Sequence, residues 1–133
     1  MRYKENITSI PTYNDGCFEL YEIKQKDTTY PEEYIKRVTR KPIWFKELSI
    51  SNNLKFQADQ REVNLTMKIR IPQTKEITSM NVLKIGKEYH KVYNAYHFVN
   101  DEGFKETDLT LQDYPNPVLE EKQRWIKKNW LNY

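Results

Sequence analysis

The chain has 133 residues, a length that suits one domain and allows a core without disulfide or metal staples. Its hydrophobic fraction is 38% and its mean hydropathy −0.93, so the core is modest and the surface wet. A net charge of +3, from 22 basic and 19 acidic residues, is too balanced for a dedicated nucleic-acid binder.

Residues 1–16 are polar and contain Pro11 and the turn signal Asn14-Asp15-Gly16, which reads as an extended arm ending in a turn. The first residues lack an apolar stretch of the kind a secretory signal needs, and no run reaches membrane-spanning length. Cys17 is the single cysteine, so a disulfide framework is excluded and a reducing setting expected. Cys17 to Lys24 predicts a first strand. Phe18 and Leu20 share one face, Tyr21 and Ile23 the other, which implies a bulge or burial on both sides. Within the polar connection Gln25–Lys41, the stretch Thr29 to Arg37 predicts a short helix: Pro31 sits in its first turn, acids follow and bases close it.

Pro42 to Ile50 predicts a second strand, apolar on both sides, with Trp44 on one face and Phe45 on the other. One face is expected against the core and the other against a neighbour. Ser51 to Arg61 carries Leu54, Phe56 and Ala58 in alternation and reads equally as short strand, loop or helical turn. Val63 to Ile71 is the clearest element: Val63, Leu65, Met67, Ile69 and Ile71 alternate with Asn64, Thr66, Lys68 and Arg70. That period of two marks a strand with one buried face, ended by Pro72. A polar loop over Gln73–Ser79 leads to a strand over Met80–Ile85, a tight turn at Gly86-Lys87 and a long strand over Glu88–Val99. Asn100 to Gly103 turns the chain into a last strand, Phe104–Leu111. Asn116-Pro117 then reads as the cap and first residue of a helix through Leu131, with the thin apolar stripe Leu119, Ile126 and Trp130, and Trp125 beside it. The fold expected is all-β: a small antiparallel barrel or sandwich of about six strands with long loops and a C-terminal helix.

Patterns that carry chemistry are scarce. His90 and His97 are seven residues apart, so on one regular strand they face opposite ways and form no metal pair without a bulge. No serine lies in a nucleophile elbow and no glycine-rich loop precedes a helix. The expectation is no catalytic residue, no cofactor and no metal. Aromatic residues interleaved with bases, as in Lys87 to Tyr93, leave an oligonucleotide-binding barrel as a distant alternative.

The central stretch takes the reading further. The strand Trp44-Phe45-Lys46-Glu47-Leu48, the connection running to Gln60, the strand ending Lys68-Ile69-Arg70-Ile71-Pro72, the Gly86-Lys87-Glu88-Tyr89 hairpin and the final Leu109-Thr110-Leu111 follow one another in order. In that order the chain resembles the head–tail joining proteins of long-tailed phages, also called head-closure or stopper proteins, over about residues 40–112. The connection Gln25–Lys41 is longer than in minimal members, and the segment after Asp113 has no counterpart. The resemblance implies a structural virion protein of the neck, assembled in the host bacterial cytoplasm, with an arm over 1–16, a β-barrel head-closure domain over 17–112 and a helical extension over 113–133. Its partners would be sister copies in a ring, the portal and adaptor on one side, the tail terminator on the other, and packaged double-stranded DNA held without sequence reading, with no membrane. A tail terminator or other neck component is the nearest alternative. By position, Leu54, Phe56, Asp59 and Gln60 become the candidate channel-closing or inter-subunit loop. Trp44, Phe45, Tyr93, Tyr96, Trp125 and Trp130 are the candidate interface. The free protein is expected to be a monomer in dilute solution.

Overall fold

The alternating strand at the centre of the sequence lies in the wall of a closed barrel. In the computed structural model, which describes residues 10–27 and 32–120, seven strands and one helix follow in the order β1 (Gly16–Gln25), β2 (Glu33–Arg37), β3 (Ile43–Leu48), α1 (Asn52–Gln60), β4 (Leu65–Pro72), β5 (Asn81–Ile85), β6 (Glu88–Val99) and β7 (Lys105–Asp113). All named strand pairs are antiparallel, in the order β1-β3-β4-β7-β6-β5, and β5 pairs back with β1. The protein is therefore mostly β and closes as a six-stranded antiparallel barrel. Closure removes the free edges that an open sheet would leave.

The barrel is filled by one residue in two from each strand. Phe18, Leu20, Phe45, Ile69, Ile71, Leu83, Val92, Leu109 and Leu111 form its core, and Phe18 and Phe45 meet with ring centroids 6.3 Å apart. Gly16 makes room for this contact: a Cβ there would lie 2.7 Å from Phe45 Cζ. Ile77, fully buried although it lies between β4 and β5, joins the same cluster. The polar loop therefore carries an apolar plug. Its backbone is fixed by Thr74 N–H donating to Thr107 Oγ1 at 3.1 Å.

A second, smaller cluster lies outside the barrel. Tyr21 and Ile23 of β1 and Val82 of β5 point away from the core and pack on Ile35 of β2. The first strand is thus buried on both sides, without a bulge in its pairings. β2 is the covering element, and it corrects the helix predicted over this stretch for the part described. Ile23 faces Ile35 across the β1–β2 ladder. On the other edge of β2, Ile35 N–H donates to Val118 O and accepts, through its carbonyl, from Glu120 N–H. Extended backbone uses both edges and buries the lone apolar Ile35, which outweighs a weak local helix preference.

The C-terminal helix is not present where its start was expected. Asn116 has a positive φ of 56°, and Val118 to Glu120 run alongside β2 through a parallel bridge at Leu119. The remainder of that predicted helix, with Trp125 and Trp130, lies outside the described residues. The segment left open between β3 and β4 is helical. Ser51 caps it by accepting from Leu54 N–H at 3.2 Å, and Leu54 and Ala58, four apart, share its inward face.

Candidate functional site

Among the described residues, side chains that the core does not use gather on α1, on the outer faces of β3 and β6, at one open end and on the outer face of β4 and β7. At nine residues α1 is short, its first turn carries no acid and its last turn no base, and Ala58 is its one buried residue. A helix of that length gains little stability from its own backbone. Phe56 stands 63% exposed on the side away from Leu54 and Ala58, with Asp59 and Gln60 also exposed. Leu54 is half-buried.

Trp44 projects from β3 and is 55% exposed, while Tyr96 projects from β6 and is 60% exposed, stacked on Phe98 at 5.5 Å. β3 and β6 are three strands apart either way around the barrel, so these two aromatic positions occupy opposite sides of it. Phe45, expected at an interface, instead belongs to the barrel core: its neighbours in the strand face outward and it faces inward. Tyr93 is the extra residue of a bulge between Val92 and Asn94, where its hydroxyl accepts from Arg61 Nη1 at 3.3 Å.

That bulge also corrects the histidine reading. His90 pairs with Asp113 and His97 with Thr107, so both face the barrel interior. They sit six β7 positions apart, about 20 Å along the strand, too far for a shared metal. His97 Nδ1 lies 2.7 Å from Thr107 Oγ1, and His90 Nδ1 2.9 Å from Thr66 Oγ1. Burial lowers the pKa of His90, and the nearby Glu88 and Asp113 carboxylates oppose that shift. Among the described residues no group of three or more acids, histidines or cysteines is placed to hold a metal ion.

His90 lies in the open end of the barrel, a cavity of about 480 Å³. Glu47, Glu88 and Asp113 bring three carboxylates to it against the single ammonium of Lys87. Tyr89, Tyr114, Pro115 and Pro117 supply aromatic and apolar surface, and Met67 and Ile85 reach it from the core side. Tyr114 is held by donating its hydroxyl to Glu33 Oε1 at 2.8 Å, and burial followed by that carboxylate pushes its pKa up to about 12.

On the outer face of β4 and β7 lies a polar network that sequence reading missed. Arg70 donates through Nε and Nη2 to the two oxygens of Asp108 at 2.7 and 3.0 Å and stacks over Phe98 at 4.9 Å. Those hydrogen bonds, ahead of the opposing effect of burial, raise the Arg70 pKa. Tyr13 and Asn100 donate to the two oxygens of the buried Glu106, at 2.9 and 3.1 Å, and tie the end of the N-terminal segment to the barrel. Burial and Glu106 hold the Tyr13 pKa at about 12. The signal was present as acids at alternate positions of the last strand, Glu106 and Asp108, but their partners are 38 and 93 residues distant. Among the described residues this network fastens the N-terminal segment and the β6–β7 turn to the barrel surface.

Compared with known proteins, the chain matches no family model and no curated protein.

Proposed function

We propose that this chain is a structural protein of a long-tailed phage neck. It would form a ring of identical subunits below the portal and adaptor, close the DNA-filled head and offer the surface on which the tail docks. The observation that carries this reading is α1: a short, poorly buried helix inserted between two strands of a closed barrel, presenting Phe56 away from its own domain. An exposed aromatic on a marginal helix is a natural inter-subunit contact or channel plug. The exposed Trp44 and Tyr96 add support: they lie on opposite sides of the barrel, and a subunit that meets both sister copies and virion neighbours needs more than one contact surface. The near-balanced charge suits a passage through which DNA moves without being gripped.

The test is Phe56→Ser in the phage that encodes the chain. The variant protein keeps its thermal midpoint, since the side chain is largely exposed. Filled heads assembled with it lose DNA and fail to join tails. Full retention of DNA with normal tail joining would overturn the reading. A portal, capsid and adaptor gene upstream, with a tail terminator gene downstream, would support stopper over terminator.

A further inference from the structure

We infer that the open end of the barrel receives Trp44 from a second copy of this chain, forming the head-to-tail contact of the ring; this rests on the assembly reading above. The end cavity is acidic, with Glu47, Glu88 and Asp113 around it, and its surface includes tyrosine and proline. The outer face of β3 is the complement. Trp44 is its exposed aromatic, and Lys46, two residues on along the same face, is exposed and makes no ion pair among the described residues. Arg40 and Lys41, just before the strand, are exposed as well. An exposed tryptophan knob with bases on and just before its strand answers an aromatic-lined cup in which three acids outnumber Lys87, so the two surfaces match in sign; the one acid beside the strand, Asp15, is engaged by accepting from Glu47 N–H at 2.8 Å. α1 is a poorer match for the cup. Beside Phe56, its outer face carries amides and Asp59, and the exposed Lys55 lies to one side of it, so no net base on that face meets the cup carboxylates.

The contact joins a side of one subunit to an end of the next. It is heterologous, so each subunit keeps one free knob and one free cup and the chain of contacts continues until it closes. Tryptophan is among the residue types that carry most of the binding energy at such interfaces.

Cys17 reports on this contact directly. It is the only cysteine, it is partly exposed, and it is the cross-strand partner of Trp44. Glu88→Cys places a second thiol at the cup. The full chain carrying it, treated at high concentration with a short bismaleimide, gives a ladder of dimers, trimers and larger species. Lys75→Cys, in the exposed loop at the other end of the barrel, does not. Trp44→Ala in the Glu88→Cys background lowers the ladder about tenfold or more without moving the thermal midpoint, and added salt lowers it as well. Equal yields from the two cysteine positions, no ladder at all, or a ladder indifferent to Trp44→Ala would overturn the contact. So would a ladder that persists when Cys17 is serine and Gln57→Cys on α1 is paired with Glu88→Cys, because α1 would then be the occupant. DNA loss from Phe56→Ser heads without a ladder here would sink this contact and leave the neck reading standing. A ladder with full DNA retention would do the reverse.

Discussion

Ile77 offers the sharpest test of how the barrel is held. It sits in a segment whose neighbours Lys75, Glu76, Thr78, Ser79 and Met80 are all exposed, yet it is itself fully buried against the barrel core. Ile77→Ala removes three carbons. At about 0.8 kcal/mol for each buried methylene the transfer loss is about 2.4 kcal/mol. Ile77 packs against the core side chains of the strands, which relax only in part around a void, so a cavity term raises the cost to about 3–4 kcal/mol. For a domain of this size that lowers the thermal midpoint by about 10–15 °C. The check is urea unfolding of the variant beside Met80→Ala, whose side chain is 55% exposed. Ile77→Ala shifts the midpoint strongly with an unchanged slope, while Met80→Ala stays within about 0.5 kcal/mol of the parent. If the two variants are equally stable, the loop does not plug the barrel and the account of its closed end is wrong.

Two further outcomes follow from the geometry. His90 is held neutral by burial, so its folded pKa lies below that of the unfolded chain. As pH falls below about 6.5, the unfolded state takes up the proton first and stability declines until the folded pKa is passed; denaturation between pH 7.5 and 5 shows that slope, and His90→Gln reduces it. Gly16→Ala forces a methyl against the Phe45 ring, at 2.7 Å from Cζ in the present geometry. It costs about 1–3 kcal/mol in equilibrium unfolding, whereas relief of the clash by a simultaneous Phe45→Leu recovers part of that loss.

The strands of the barrel were legible because their evidence is local. Ile69 and Ile71 alternate with Lys68 and Arg70, and Gly86 and Gly103 take positive φ at the turns where hairpins were expected. Ile35 was misread because one apolar residue among charges looks the same in a short strand and a short helix. Phe45 was misplaced because a strand apolar on both sides does not say which side is the core. That Trp44 and Phe56 are the aromatic side chains left outside is visible only in the structure, since local alternation does not tell the core face from the outer one. The acidic cup was invisible because Glu47, Glu88 and Asp113 come from three strands and meet only at one end of the finished barrel.

By itself the sequence determined that the chain would be built of antiparallel strands, where most of them would run and where two hairpins would turn, because side-chain period and turn chemistry act over a few residues. The tertiary structure alone decided that the sheet closes, through β5 meeting β1 with Asn81 donating to Tyr21 O across 60 positions of sequence. It alone decided that one bulge turns His90 and His97 to the same side. Those outcomes depend on which distant backbones find each other, and local alternation is equally satisfied by an open sheet, a sandwich or a barrel.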